Sequence, residues 1–182
     1  LTDEQILQQV KQGNTSAFKI LITRHEPQIA ATVVGMLGKC PEAEDVGQET
    51  FIRFFRSVDN FQGKSSVATY LTRIAINLSL NELKRRKRKS LFFNQNLTEA
   101  EFELPGENPS DGYDGMNELI QKAIQRLEPK FKSVIVLRLI DGYATNETAK
   151  ILKIPVGTVL SRLARAQKKL KEILSPMLQE TL

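Results

Sequence analysis

The sequence predicts an all-α protein made of two helical domains joined by a flexible acidic linker. Three observations predict it. Apolar residues recur at helical spacing on both sides of residues 91–115. That middle stretch has almost no periodic apolar pattern and carries Pro105, Gly106, Pro109, Gly112 and Gly115. Charge divides along the same lines: residues 1–90 hold 14 basic and 9 acidic side chains, 91–115 none and 6, and 116–182 hold 12 and 6. The expected domains are therefore residues 1–90 and 116–182. Two basic blocks around an acidic strap fit polyanion binding by both ends, and equally a soluble protein with basic faces and no nucleic-acid partner.

The first block opens with a short amphipathic helix through Ile6, Leu7 and Val10, ended by Gly13. Asn14 or Thr15 is placed to cap the next helix, which carries Phe18, Leu21 and Ile22. Pro27 should kink that helix or start a new one before Ile29, Val33 and Val34. Over Glu42–Val58 the wheel sends Phe51, Phe54, Phe55 and Val58 to one face as core. Asp45, Glu49, Arg53 and Arg56 fall on the other. Periodicity alone leaves that ridge open between a solvated salt-bridged face and a docking surface. After a turn at 60–63, Leu71, Ile74, Ala75 and Leu78 form a buried stripe, with Arg73, Asn77, Asn81 and Lys84 opposite. The helix runs into six consecutive cations, Lys84, Arg85, Arg86, Lys87, Arg88 and Lys89. Their mutual repulsion favours an anionic partner, although cations at a helix C-terminus also suit the macrodipole.

The second block begins at Met116 with Leu119, Ile120, Ala123, Ile124 and Leu127 on one helix, stopped at Pro129. A helix through Phe131, Val134, Ile135 and Leu139 ends near Asp141-Gly142. Residues 146–152, a turn at Lys153-Ile154-Pro155 and a basic helix from Val156 to about Leu174 complete a helix-turn-helix layout. Val159, Leu163, Ala166, Leu170 and Ile173 make the core face of the last helix. Gly157, Ser161, Ala164, Arg165 and Lys168 lie outward. Small residues for close approach beside long donors suit a major groove, and an exposed cationic hairpin is the plainer alternative.

Other functions find little support. No apolar run reaches the length of a membrane span, and no signal-peptide pattern opens the chain at Leu1. The lone Cys40 excludes an intramolecular disulfide and any multi-cysteine metal site, and suits a reducing cytoplasm. Cys40 precedes Pro41 with no basic partner nearby in sequence, and reads as a structural thiol. His25 is the single histidine and reads as a core or surface residue. With no glycine-rich phosphate loop or metal-ligand spacing, no catalytic residue, metal or cofactor is expected.

Three strings, in order, resemble the bacterial sigma factors of the sigma-70 family, extracytoplasmic-function group. Asp45-Val46-Gly47-Gln48-Glu49-Thr50-Phe51 resembles the family's D-x-x-Q-E-x-F. Tyr70-Leu71-Thr72-Arg73-Ile74-Ala75-Ile76-Asn77 resembles W-L-x-R-I-A-x-N. Residues 154–163, from Ile154 to Leu163, resemble I-P-x-G-T-V-x-S-R-L. The resemblance implies a factor that carries core RNA polymerase to promoter DNA, with region 2 in the first block and region 4 in the second. It implies that Asp45, Gln48, Glu49, Arg53 and Arg56 dock on the clamp helices of the polymerase's largest subunit, with the flap of the second-largest subunit as a further contact. The minus-ten element would be melted and held by Phe61, Lys64, Ser65, Thr69, Tyr70, Arg73, Asn77 and Asn81. Phosphates nearby would meet Lys84, Arg85, Arg86 and Arg88. The minus-thirty-five element would be read as duplex by Gly157, Thr158, Ser161, Arg162, Ala164, Arg165 and Lys168. By analogy the acidic strap would thread polymerase channels, and an anti-sigma protein is a further partner the family admits.

The sequence also departs from the pattern. Gly47 stands where an aliphatic residue is usual, Tyr70 where tryptophan is common, and Lys153 where glycine often makes the turn. Lys153 should then carry a mildly strained left-handed backbone. Leu160 and Ala164 replace positions often basic or aromatic, so the family's usual minus-thirty-five sequence does not carry over. The rival reading is a helix-turn-helix regulator that does not bind core polymerase, which leaves the Asp45–Phe51 ridge without a role.

Overall fold

The computed structural model describes residues 1–94 and 113–179, and every regular element among them is helical. Helix α1 (Asp3–Lys11) starts with a capping box: Thr2 Oγ1 accepts from the Gln5 N–H, and Gln5 Oε1 accepts from the Thr2 N–H. It ends before Gly13, whose φ of 97° only glycine adopts freely. The expected cap at Asn14 is not made. Its carboxamide instead accepts from Ser16 Oγ at 2.6 Å, and a short 3-10 turn leads into α2.

Helix α2 (Phe18–Leu37) runs through Pro27 without a break. Proline removes one hydrogen bond at a typical cost of about 3 kcal/mol. The helix withstands it because Leu21, Ile29, Val33 and Met36 are buried along its length. His25 is held too, its Nε2 lying 2.8 Å from Asp3 Oδ2. Helix α3 (Pro41–Ser57) has Pro41 in its first turn, where the missing N–H costs nothing. Helix α4 spans Val67–Asn94. The C-terminal half comprises α5 (Tyr113–Gln125), α6 (Pro129–Ile135), α7 (Thr145–Leu152) and α8 (Val156–Gln179). Most of the expected linker at 91–115 lies outside the described residues. At its edges α4 continues to Asn94 and α5 begins at Tyr113, so both helices outrun the expected boundary.

Three other expectations are corrected. Phe55 is not core: it stays 40% exposed, edge-on to Phe18 at the surface. Helix α8 extends past Leu174 and through Pro176 to Gln179. The buried arc of α4 is turned around the helix axis. Leu71 and Ala75 are buried as expected, but the other fully buried positions are Thr72, Ile76 and Ser79, while Ile74 and Leu78 are only half-buried.

The second domain packs on the first and meets this arc at Thr72, whose hydroxyl lies 2.9 Å from that of Tyr143. Helix α6 runs on as a π-helical turn over Val136–Ile140, closed by the Asp141 N–H on the Val136 carbonyl. This turn lies along α2, and α7 lies along α4. Val136, Leu137, Tyr143 and Ile151 join the core of the N-terminal helices. At about 1.5–3 kcal/mol for each large apolar side chain fully buried, that contact is worth several kcal/mol. A smaller cluster of Ile124, Leu127, Phe131, Ile135 and Ala166 holds the C-terminal helices to one another.

Two ionisable groups at or near this contact, Lys132 buried and Asp141 half-buried, have no ion-pair partner among the described residues. Desolvation, with repulsion from Arg86, lowers the Lys132 ammonium to about 8. Desolvation raises the Asp141 carboxyl to about 6, against the opposing hydrogen bond it accepts from Thr32 Oγ1 at 2.9 Å. The folded state therefore binds the Asp141 proton more tightly than the unfolded chain. Stability from this group is full below its unfolded value near 4 and is lost as pH rises through about 6. Asp141→Asn, which keeps an acceptor for Thr32, should stabilise the protein at pH 7.5 by about 1 kcal/mol, discounting for partial solvent screening. Thermal melts of both proteins should converge at pH 4, and a constant gap across that range would contradict the assignment.

Candidate nucleic-acid interface

The expected docking ridge lies on the outer face of α3. Asp45, Gln48, Arg53 and Arg56 are exposed and Glu49 is half-exposed. The attractive pair predicted from spacing is formed, with Arg53 Nε donating to Glu49 Oε1 at 2.7 Å. Such an exposed pair contributes only tenths of a kcal/mol, so it orients the two charges more than it stabilises the helix. Beside the ridge a groove of about 1250 Å³ opens between α2 and α3, its apolar wall including Phe18, Ile22, Phe51, Ile52 and Phe55. Gln48 and Arg56 reach its edge. Gly47 also lines it, and a Cβ there would meet nothing within 4 Å. The glycine is thus not required by packing within the chain, and it keeps that part of the groove wall low.

A second set gathers where α4 begins. Phe61 packs edge-on against Phe54 at 5.6 Å and against Tyr70 at 5.1 Å, while Phe54 and Tyr70 are 5.5 Å apart. Phe54 is fully buried, so it anchors two half-exposed rings. Two residues that the sequence reading missed hold this corner. Lys11 Nζ donates to the Phe61 carbonyl at 3.1 Å, and Ser66 caps α4 by accepting from the Thr69 N–H. A serine three residues before the capped amide, just ahead of an apolar run, was a legible signal for the second. The Lys11 contact spans 50 positions and left no local trace.

Lys64 is exposed, Ser65 and Thr69 are half-exposed, and Asn77 and Asn81 project outward further along α4. Arg73 is half-buried, with its Nε buried and lacking a hydrogen-bond partner. The basic run does not act as one patch. Lys84 and Arg88 are exposed. Arg85 is tied to Glu82 by two hydrogen bonds of 2.7 and 2.8 Å, which hold the Glu82 carboxyl below its usual range. Arg86 turns inward: it donates to the Leu37 carbonyl at 3.1 Å and to Cys40 Sγ at 3.0 Å, and so fastens α4 to the α2–α3 corner. Cys40 thus has a basic neighbour after all, 46 positions away.

The third set lies on α7 and α8. The left-handed backbone expected at Lys153 is present, with φ 54° and ψ 46°. The Ile154 N–H returns to the Ala149 carbonyl at 3.1 Å to close helix α7. The turn aims α8 so that Val159 and Ala166 are fully buried while Gly157, Ser161, Ala164, Arg165 and Lys168 are exposed. Thr158 and Arg162 are half-exposed at the edge of that face, and Leu160 adds an apolar side chain 53% exposed. Lys169 faces another way, pairing with Glu128 and lying over the Phe131 ring. Among the described residues no cluster of three or more His, Cys, Asp or Glu side chains could hold a metal, and no helix is long and apolar enough to cross a membrane.

Comparison with known proteins agrees with this arrangement. Residues 21–89 match the family described as Sigma-70 region 2, and residues 117–170 match Sigma-70, region 4. The chain is 32% identical to the RNA polymerase sigma-H factor of Pseudomonas aeruginosa, over 98% of this chain and 96% of that one. It is likewise 32% identical to the ECF RNA polymerase sigma-E factor of Escherichia coli, over 98% and 97%. Two solved structures share the fold. One is the sigma factor RpoE of Bartonella quintana in complex with the anti-sigma factor NepR, with a TM-score of 0.67 and 24% identity over 86% of this chain and 96% of that one. The other is CnrH in complex with the cytosolic domain of CnrY, with a TM-score of 0.67 and 24% identity over 96% and 97%.

The inward and outward arginines of α4 should separate on substitution. Arg86→Ala is expected to lower unfolding free energy by about 1–2 kcal/mol, since it strips the Leu37 carbonyl of a charged donor. Arg88→Ala should stay within about 0.5 kcal/mol of the parent. In return, it should lower the salt dependence of promoter binding by the equivalent of about one phosphate contact. Chemical denaturation and salt-titrated binding check both, and the reverse pattern would refute the division.

Proposed function

The chain belongs to the sigma-70 family, in its extracytoplasmic-function group, and serves promoter-specific initiation of transcription; on that premise we propose how its surfaces divide the work. The α3 ridge of Asp45, Gln48, Glu49, Arg53 and Arg56 docks on core RNA polymerase, at the clamp helices of the largest subunit. Docking would cover the neighbouring apolar groove, where Ile52 and Phe55 lie 44% and 40% exposed. Region 4 contacts the flap of the second-largest subunit. We assign the cytoplasm as the working compartment, since the partner polymerase and promoter are there.

The minus-ten element is held at the corner of Phe61 and Tyr70. Extruding a base from the stack costs a few kcal/mol, and a pocket must return that energy through stacking and edge hydrogen bonds. Two aromatic walls locked by Phe54 supply stacking without further loss of side-chain freedom. Lys64, Ser65, Thr69, Arg73, Asn77 and Asn81 supply donors and acceptors around them. The buried, unpartnered Nε of Arg73 is a donor that an incoming acceptor would satisfy. Lys84, Arg85 and Arg88 meet phosphates beyond. Arg86 is chiefly a brace, its guanidinium nitrogens engaged by Glu82, the Leu37 carbonyl and Cys40, although its side chain remains 36% exposed. The outward face of α8, from Gly157 to Lys168, enters the major groove at the minus-thirty-five element.

The observation that carries this reading is the presence on one small module of a charged ridge beside an apolar groove and, separately, of a rigid aromatic corner. A helix-turn-helix regulator acting without polymerase needs neither. No catalytic step is proposed: His25 is engaged with Asp3, and Cys40 with Arg86. An anti-sigma partner is proposed by likeness to the RpoE relative, which was solved bound to one.

In vitro transcription over a promoter library with core polymerase should yield start sites absent without the chain; unchanged start sites would favour the regulator reading. Glu49→Lys should weaken polymerase binding at least about tenfold, by breaking the Arg53 pair and reversing the ridge charge, while leaving helical content intact. Equal affinity in the folded variant would remove the ridge from the interface. Arg165→Ala should weaken binding to upstream duplex by about 1–3 kcal/mol and leave melted-strand binding nearly unchanged. Equal loss on both substrates would count against the division between modules.

A further inference from the structure

Helix α8 carries an apolar row on a side that the described residues do not cover. Val156, Leu160 and Ala164 stand four residues apart, and all three are exposed, Val156 at 41% and Leu160 at 53%. A single exposed leucine is ordinary on a protein surface. This row, however, lies within a stretch, residues 148–171, that holds seven basic side chains and no acidic one. Apolar surface set in such a field suits a polyanion that has apolar groups of its own. Lys150 and Lys153, both exposed, line a shallow hollow of about 400 Å³ together with Val156. They are placed to meet phosphates alongside the row.

The neighbouring rows of α8 narrow the choice. Leu160 and Arg165 lie about 140° apart around the helix axis, with Gly157, Ala164 and Ser161 between them. All five are exposed. Glycine is a poor helix residue, yet neither backbone nor packing asks for Gly157. Its φ is not left-handed, and a Cβ there would meet nothing within 4 Å. The Ser161 hydroxyl turns back on its own helix and donates to the Thr158 carbonyl at 3.1 Å. The middle of the face is therefore low, with an aliphatic side chain at one margin and a guanidinium at the other. A helix of that shape can sink into a major groove until both margins reach base edges. Leu160 has neither donor nor acceptor, so it cannot read a base by hydrogen bonding. The apolar group that base pairs present in the major groove is the C5-methyl of thymine. Four residues of helix rise about 6 Å, and base pairs stack about 3.4 Å apart, so Val156 and Leu160 are spaced for methyls about two steps apart.

We infer that Leu160, with Val156 beside it, is a thymine reader: it packs on C5-methyl groups in the duplex that α8 enters and sets a preference for thymine there. This rests on the reading of α8 as the helix that lies in the major groove. Specificity at those base pairs then comes from apolar contact, while Arg165 supplies hydrogen bonds at the opposite margin of the face. An aliphatic side chain laid on a methyl removes both from water, and each methyl so covered is worth about fourfold in affinity.

Deoxyuridine provides the test, because it differs from thymidine in that methyl alone and keeps the same hydrogen-bonding edge. The full chain, mixed with core polymerase, selects duplexes from a random pool at low salt, against core polymerase alone as the control. Selected duplexes should share thymines within two or three steps of one another. Replacing each of these singly by deoxyuridine should weaken binding of the parent about fourfold. Leu160→Ala sits at an exposed helical position and should fold as the parent does. It should bind the thymine duplex about as weakly as the parent binds the uracil one, and lose less than about twofold on replacement. Selection of no duplex, selected duplexes without shared thymines, or deoxyuridine without effect on the parent would overturn the inference. So would a folded Leu160→Ala that is as sensitive to deoxyuridine as the parent. Weaker binding of Leu160→Ala to core polymerase, with duplex binding unchanged, would assign the row to a protein contact and overturn it too. Start sites on core polymerase judge the promoter reading separately. A methyl effect without new start sites sinks that reading and leaves the thymine reader standing. New start sites without a methyl effect do the reverse.

Discussion

Contact between region 4 and the Gly35 side of α2 is the constraint on which most of the fold depends. Because Val136 and Ile140 rest on bare helix backbone, α6 and its π-helical extension must lie close along α2. That closeness brings Tyr143 to Thr72, on the buried arc of α4 with Ile76 and Ser79. Of the polar stripe expected to meet DNA, Asn77 and Asn81 face solvent and Arg73 is half-buried. One close approach thus bears on the helix that carries the proposed melting site.

The N-terminal module presents different chemistry in different directions. Its ridge on α3 is charged and borders an apolar groove, a combination that suits a protein partner. Its corner at Phe61 and Tyr70 is aromatic and polar, and suits an unstacked base. Phe54 connects the two, since it is buried beneath both rings while its helix carries the ridge. Polymerase docking and base capture are therefore supported by the same helix, although their contact surfaces are separate.

Much of this was legible from residues alone. Short-range signals worked well: Gly13 after α1, the left-handed Lys153, and the core face of α8 all follow from local sterics and period. The Glu49–Arg53 pair follows from i,i+4 spacing. Residues governed by distant neighbours were misread or passed over. Phe55 shares a wheel face with Phe51 and Phe54 but faces a groove that none of the described residues fills. Ile74 and Leu78 were expected fully inside and are half-buried, while Thr72, which the wheel left out, is buried where Tyr143 meets it. Arg86 is indistinguishable from its cationic neighbours until Leu37 and Cys40 come into reach. Pro27 was expected to kink the helix or begin a new segment, and α2 continues through it as one helix. Within the three family strings Asp45, Gln48, Asn77 and Ser161 are exposed, as their places on the helical wheels require.

The central claim is that one chain grips polymerase while it holds an extruded base downstream and intact duplex upstream. Permanganate reactivity of thymines on a promoter that the chain activates tests it most directly. Reactive thymines should appear around the minus-ten element only when chain and core polymerase are both present, with the minus-thirty-five element protected but paired. Strands that stay paired around minus ten in the complete mixture, or that open with core polymerase alone, would contradict it.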